Sequence, residues 1–343
     1  IRDSSVTGVQ TCALPISKSR RSQTIGKKAS DYFEITNIKI REAFVAVLPE
    51  GRAWADRQNS VVITSDNKLV QDLYTGCGEI VFSSKRLTPF QYIDGTVAFL
   101  SVKYSGMYYH WMFDVIPRFH LLDRSDIKLS EIDHFVINKC QHNFQITTLK
   151  KLGIPGEKIL ENCGLHLKAK RLVVPSLSGG WRAGYWAGNF LRSQFLTDLE
   201  KNQKGEERIY ISRKLASRRR VVNEEEVVEF LEKLGFVRVI LESMSVEEQA
   251  RCLAAAKVVI GPHGGGLTNL VFCSPGTKAI EFFPPEYVKS CYWQLTNLYD
   301  LEHYYLMGDK FDDDNDYQNF PVNWNILVNL KKLSKLLKKA GVV

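Results

Sequence analysis

Several stretches of this chain carry residue types at spacings that could do chemistry. At 257–260, Lys-Val-Val-Ile reads as the end of a strand and runs into Gly-Pro-His-Gly-Gly-Gly-Leu-Thr-Asn at 261–269. Three consecutive glycines, Gly264, Gly265 and Gly266, let the backbone turn tightly and approach a ligand closely. The N–H groups of a helix that follows face the same point, which makes an anion site. The spacing matches neither a Walker A motif nor a complete GxGxxG, so it argues directly for neither an ATPase nor a dehydrogenase. His263 lies in the turn and can donate to a phosphate. Glu281 comes seventeen residues after Gly264, at the carboxyl end of the next expected strand. Open α/β sheets place acids there that accept from ribose hydroxyls. Against these readings stand a satisfied turn histidine and a capping or salt-bridged carboxylate.

Arg208-Ile-Tyr-Ile-Ser-Arg reads as a strand delivering Ser212, Arg213 and Lys214 to its carboxyl end. A guanidinium holds phosphate in a fork, so Arg213 is expected to point into the crevice that the glycine turn borders. Arg218, Arg219 and Arg220 read as surface loop charges. Upstream, the stretch 108–122 is mostly apolar, yet His110, Asp114 and Arg118 recur every four residues and share one helical face. A polar stripe on a buried helix is costly unless its members pair or serve a site. His110 and Asp114 fit an orienting pair, or Asp114 a general base; the structural alternative is a His–Asp–Arg network. Pro117 removes one backbone hydrogen bond and predicts a kink. The run Asp312-Asp-Asp-Asn-Asp invites a metal reading, but it falls in what reads as a solvated loop, and no metal site is assigned.

The elements that must position these residues follow from the hydrophobic pattern. Residues 43–48, 60–64 and 95–102 read as strands, 49–51 as a turn and 108–122 as a long helix. Beyond them, strands at 134–138, 171–174, 208–212, 237–241, 257–261, 278–282 and 302–306 alternate with helices at 144–152, 185–202, 223–234, 246–256, 267–272 and 290–299. That alternation implies right-handed βαβ units and a doubly wound parallel sheet. A loop at 307–321 leads to an amphipathic helix at 324–339. The 343-residue length suits two domains, 32–178 and 179–322, divided near the turn formers of 175–184 and followed by the terminal helix, 323–343. Residues 6–17 look like a translated sequencing adaptor, so 1–17 are left out of fold reasoning. Residues 18–31 read as a flexible basic tail.

The net charge of +8 is unevenly spread: fifteen cations fall in three acid-free windows, 18–28, 213–220 and 331–339. This favours local anion sites or a polyanionic partner. Nucleic-acid binding would want interleaved aromatics, which the basic run at 213–220 lacks. A hydrophobic content of 44% with 24% charged residues excludes collagen-like, coiled-coil and largely disordered chains. No apolar run approaches the ~18 residues of a membrane span. Seven cysteines without CxxC spacing suggest neither a zinc site nor a disulfide framework; they read as reduced, buried thiols of a cytosolic protein.

Taken together, YYHWMFDVIPRFHLL, YISRKLASRRRVVNEEE, VVIGPHGGGLTNLVFCSPGTKAIEFFPP and CYWQLTNLYDLEHYYL resemble glycosyltransferase family 61, and within it the bacterial, capsular-polysaccharide type. The resemblance spans about residues 40–310. It implies a GT-B architecture: two Rossmann-like domains facing a cleft, with acceptor on the N-terminal side and donor nucleotide on the C-terminal side. It also implies an inverting transferase that uses a nucleotide sugar, a UDP-sugar above all, and needs no metal or other cofactor. Carried over residue by residue, donor binding falls to Arg213, Lys214, His263, Gly264, Gly265, Gly266, Thr268, Asn269 and Glu281. Catalysis falls to Asp114 as base with His110 as its partner, and Arg118 lies on the acceptor side. Gly265 stands where alanine is common in the family.

The expected function is thus sugar transfer from a nucleotide donor to a hydroxyl of a glycan acceptor, in surface or capsular polysaccharide synthesis. The expected setting is cytoplasmic, with peripheral association at the inner membrane left open, and no nucleic-acid partner. The competing class is a non-catalytic module of the same fold that holds a nucleotide or a glycan.

Overall fold

The computed structural model describes residues 6–7, 21–25, 33, 43–56, 59–76, 89–162, 164–177, 185–196, 205–311 and 320–343. The chain forms two units: Ile1–Leu14 with Lys39–Gln194, and Pro15–Ile38 with Phe195–Val343. Two short strands open it, β1 (Val6–Thr7) and β2 (Gln23–Thr24), one in each unit.

The first unit holds a mixed sheet of β1 with β3 (Val45–Pro49), β4 (Arg52–Ala55), β5 (Ser60–Ile63), β6 (Gln91–Phe99), β7 (His134–Asn138), β8 (Ile159–Asn162) and β9 (His166–Pro175). Its order is β1-β3-β9-β6-β7-β8. The β9-β6-β7-β8 part is parallel, while β3 and β4 both lie antiparallel to β9. This departs from a purely parallel, doubly wound sheet. The expected turn at 49–51 does not reverse the chain: β3 and β4 follow β9 in one register, with Glu50 between them in the left-handed region at φ 54°. β4 instead pairs antiparallel with β5, and the Asp56 carboxylate accepts from the Asn59 N–H at 2.7 Å. Val97, Phe99, Val136, Leu167, Leu172 and Val174 form the core of this sheet.

The helical stretch of the first unit is not uniform. It runs from Tyr108–His110 through a π turn, Trp111–Val115, into Ile116–Asp123, here together α1. The π turn ends one residue short of Pro117, whose missing N–H would break an ordinary ladder. α2 (Asn143–Lys151) and α3 (Tyr185–Phe195) complete the unit, the division falling at the last residue of α3.

The second unit is the doubly wound one. β10 (Arg208–Ile211), β11 (Val237–Val239), β12 (Val258–Pro262), β13 (Lys278–Phe283) and β14 (Glu302–Met307) form a sheet in the order β11-β10-β12-β13-β14-β2, parallel throughout. Its helices are α4 (Glu224–Glu232), α5 (Val246–Ala255), the 3-10 helix Gly265–Phe272, α6 (Cys291–Leu298) and α7 (Leu330–Lys339). α5 starts on a Ser245–Glu248 capping box, and α4 carries Glu224, Glu225 and Glu226 in its first turn, where the helix dipole favours acids. From β10 the chain winds outward to β11 and then back across to β12. The sheet therefore has its topological switch between β10 and β12, the place where such sheets open a crevice at their carboxyl ends.

Two expectations are corrected in this unit. Residues 21–25 are not a loose tail: β2 pairs with the otherwise open edge of β14, and nearby Phe33 is buried among Phe283, Trp293 and Tyr305. The last helix begins at Leu330 rather than Trp324, because Ile326 is held extended between the N–H of Val222 and the carbonyl of Arg220. Asn329 then caps α7, whose Leu333, Leu336 and Leu337 pack into the core with Tyr304 and Leu306.

Candidate functional site

The carboxyl ends of β10 and β12 bring the expected anion-binding residues together. Glu224, 8% exposed, accepts from the Tyr210 and Ser212 hydroxyls at 2.9 Å each and so pins the end of β10. Arg213 follows at once, and its guanidinium lies against Gly264. A Cβ at residue 264 would fall inside that guanidinium. Gly264 itself is extended, at φ 170°, so close approach rather than backbone freedom requires the glycine. Gly266 is nearly as tight, since a Cβ there would stand 3.1 Å from both Ile211 and Leu241. Gly265 opens the 3-10 helix.

The arginines at this place have little to pair with inside the protein. Arg213 donates from Nη2 to the Arg218 carbonyl at 3.1 Å, while its buried Nε–H has no hydrogen-bond partner among the described residues. Arg219, expected as a surface charge, is only 8% exposed. It donates from Nε to the His263 carbonyl at 2.9 Å and from Nη1 to the Val322 carbonyl at 2.8 Å, from a backbone in the left-handed region at φ 54°. Among the described residues no carboxylate lies within ion-pair distance of Arg213, Arg218 or Arg219. Burial, and then the charge of Arg219, bring Arg213 down to about 10. Guanidinium groups drawn out of water without a counter-ion, Arg219 buried and Arg213 half-buried, are costly, and a phosphate arriving there would relieve that cost.

Behind the arginines sits a buried polar chain. Glu281, 1% exposed, faces His263 Nδ1 at 2.5 Å through one carboxylate oxygen and His303 Nε2 at 3.0 Å through the other. His303 Nδ1 in turn meets the Ser22 hydroxyl at 2.6 Å. Burial pushes the Glu281 carboxyl well up and both imidazoles down, His303 to about 3; the charges of Arg219, Arg213 and Lys289 depress His263 further. The expected contact of Glu281 with a ribose is therefore corrected, since both of its oxygens are engaged by histidines inside the protein. The sequence reading missed His303, Ser22 and Arg219. His303 had a signal: it stands on the same face of β14 as Tyr305, which is in register with Glu281. Ser22 and Arg219 had none.

Other expected donor residues are placed elsewhere. Lys214 is exposed and turns toward Glu225, with Nζ at 3.8 Å. Asn269 is fully buried and donates to Gln249 at 2.8 Å, tying the 3-10 helix to α5; Thr268, 1% exposed, packs beside it. Asn269 thus serves the scaffold.

In the first unit, His110 Nδ1 and Asp114 Oδ2 lie 2.7 Å apart, with side chains 31% and 16% exposed, so this pair is open to solvent. Arg118 is not. At 1% exposed it donates to the carbonyls of Phe99, Leu100 and Pro175, and burial brings it down to about 9. The expected acceptor-side role of Arg118 gives way to a structural one, stapling α1 to the ends of β6 and β9.

Among the described residues no group of three or more His, Cys, Asp or Glu could hold a metal ion, and no helix is long and apolar enough to cross a membrane. The Asp312–Asp316 run lies outside the described residues. Cys140, Cys252, Cys273 and Cys291 are free thiols; Cys273 is buried and the other three are half-buried.

Comparison with known proteins bears on both units. A family model described as Glycosyltransferase 61 matches residues 108–280, from the His110–Asp114 pair nearly to Glu281. A beta-1,2-xylosyltransferase of Oryza sativa subsp. japonica is 32% identical over 93 residues, 25% of this chain and 17% of that protein. One from Arabidopsis thaliana is 30% identical over 98 residues, 25% of this chain and 18% of that protein. The chain thus aligns with less than a fifth of these relatives' length. They also correct the expected subtype, because they are plant xylosyltransferases rather than bacterial capsular-polysaccharide enzymes.

Proposed function

The chain belongs to the glycosyltransferase 61 family, and from that premise we propose that it transfers a sugar from a nucleotide donor, a UDP-sugar, to a hydroxyl of a glycan acceptor. The observation that carries the donor side is Arg213: a half-buried arginine whose buried Nε–H has no partner and which has no carboxylate within ion-pair distance among the described residues, with Gly264 kept bare to admit its guanidinium. Set at the switch point of a parallel sheet, this suits a diphosphate, with Arg219 and Arg218 adding charge.

In the same reading the two units form a GT-B enzyme and the reaction inverts the anomeric carbon. Asp114 takes the proton of the acceptor hydroxyl as that oxygen attacks, and the sugar–phosphate bond breaks toward the UDP side. His110, hydrogen-bonded to Asp114, orients the carboxylate. The leaving diphosphate gains negative charge, which Arg213 and Arg219 stabilise without a metal.

The test is UDP release with a panel of UDP-sugars, UDP-xylose included because the plant relatives carry xylosyltransferase names, with and without EDTA. Release with at least one donor that survives EDTA is expected. UDP binding without release from any donor and acceptor pair would favour a non-catalytic module.

A further inference from the structure

Residues 100–107 join the carboxyl end of β6 to α1, and contacts from outside pin this loop. The Val102 N–H donates to Asn138 Oδ1 at the end of β7 at 2.9 Å, and the Lys103 N–H to Thr75 Oγ1 at 3.0 Å. Gln145 Nε2, on α2, donates to the Ser105 carbonyl at 3.3 Å. Within the loop the Met107 N–H closes a turn on the Tyr104 carbonyl at 2.8 Å. Tyr104 opens that turn at φ 65°, and among the described residues it is the one aromatic residue in the left-handed region. A bulky side chain is strained there, where glycine would not be.

Burial does little to offset the strain, because Tyr104 is 48% exposed. A tyrosine strained in its backbone and wet in its ring gains the fold little, and strained residues of this kind collect at ligand sites. Its neighbours indicate the ligand. The Tyr104 ring lies 5.5 Å from the His110 imidazole, centre to centre. Tyr109 meets the same imidazole edge-on at 5.3 Å, and His110 Nδ1 is 2.7 Å from Asp114. Lys103 Nζ stands over the Tyr104 ring, 4.6 Å from its centre. A lysine on its flexible stem can give way to a ligand and donate at its edge.

An exposed aromatic ring is thus set among an ammonium, an imidazole and, one contact further, a carboxylate. That combination suits a pyranose. The C–H face of a sugar ring is apolar and stacks on an aromatic, while the hydroxyls around its edge call for both donors and acceptors. An anion would be repelled by Asp114, and a purely apolar ligand would leave the polar groups unsatisfied.

Resting on the acceptor side of the function argued above, we propose that Tyr104 is the stacking platform of the acceptor, a pyranose laid on the tyrosine ring so that one of its hydroxyls comes beside the His110–Asp114 pair. Tyr104 forms no bond to the sugar and moves no proton. It determines specificity, selecting a sugar ring over an isolated hydroxyl such as that of a serine side chain.

The experiment compares the parent, Tyr104→Gly and Tyr104→Phe as full chains. Saturation-transfer NMR is titrated with the methyl β-glycosides of xylose, mannose, galactose and N-acetylglucosamine, and melting and UDP release are measured alongside. At least one glycoside should bind the parent and receive magnetisation on its C–H face. Tyr104→Phe should match the parent, because the ring and not the hydroxyl makes the contact. Tyr104→Gly should raise the Kd roughly 3- to 10-fold, as the loss of one aromatic contact does. It should also melt no lower than the parent, since glycine relieves the left-handed strain. Parental glycoside affinity in Tyr104→Gly overturns the proposal, as does the absence of glycoside binding in the parent. A melting temperature of Tyr104→Gly well below the parent's also overturns it, by showing that the ring holds the loop together. Any of these with UDP release intact in the parent strikes Tyr104 alone and leaves the transferase standing. No UDP release from any donor and acceptor pair removes the transferase and the proposed acceptor with it.

Discussion

The guanidinium of Arg213 occupies the space that a side chain at residue 264 would need, so the arginine and the glycine are one feature of the site. Neither is explained by its own backbone.

That pairing makes a double-mutant prediction. Arg213→Ala is expected to weaken UDP binding by the ~1.5–3 kcal/mol of a charge-assisted hydrogen bond, roughly 10- to 150-fold. Gly264→Ala should do nearly the same by displacing the guanidinium, and the double variant should be little worse than either. Calorimetric losses that simply add would show that the two residues act separately.

Asp114→Asn tests the proposed base. The pair with His110 is solvent-open, so its loss should cost no more than about 1 kcal/mol of stability. Loss of a general base should slow turnover ~10²–10⁴-fold with UDP affinity unchanged. Near-parental turnover in a folded, UDP-binding variant would dismiss Asp114.

Arg118→Lys separates scaffold from site. A lysine cannot serve three carbonyls on two strands, so unfolding in urea should show a loss of about 3 kcal/mol. The folded fraction should still bind UDP like the parent. A stable variant with altered kinetics would restore the acceptor-side reading.

Acid stability follows from the buried histidines. His303 drops from an ordinary 6.5 to about 3, so between those values the unfolded chain binds a proton that the native state refuses. Stability from this group is full above 6.5 and is lost as pH falls. His263, also depressed, acts in the same direction. Glu281, raised, acts oppositely, since above 4.5 the native state keeps a proton that the unfolded chain has lost. Two histidines outweigh one carboxylate, and acidification should destabilise. His303→Gln removes one of those protons, so its stability should fall less steeply between about pH 7 and 5, by up to about 1.4 kcal/mol per pH unit. Parallel slopes for parent and variant would exclude His303 as the acid-sensitive group.

The strand at His134–Asn138 and the strand–helix alternation of the second unit were legible because apolar runs bounded by turn residues repeat there. Arg213 beside the glycine turn was legible for a topological reason: consecutive parallel strands end at the same edge. What stayed hidden depends on distant partners. β2 is two polar residues whose only qualification is an open strand edge far along the chain. Glu281 looked like a ligand residue because its strand position can be read, whereas the histidines that occupy it arrive from β12 and β14. Arg219 differs from its exposed neighbour Arg220 through a backbone conformation that nothing in the basic run announces.

The edge strand β2 also constrains how the molecule can be taken apart. The second unit is not a contiguous length of chain, since Gln23–Thr24 completes its sheet and Ser22 closes the hydrogen bonding of His303 from across 281 positions of sequence. A fragment begun at residue 195 would keep Arg213, Arg218 and Arg219 yet expose the β14 edge to pairing with other chains and leave the His303 ring half-satisfied. Excision, domain swapping or fusion of this unit therefore has to bring along the stretch through Phe33, tethered or added in trans as a complementing peptide.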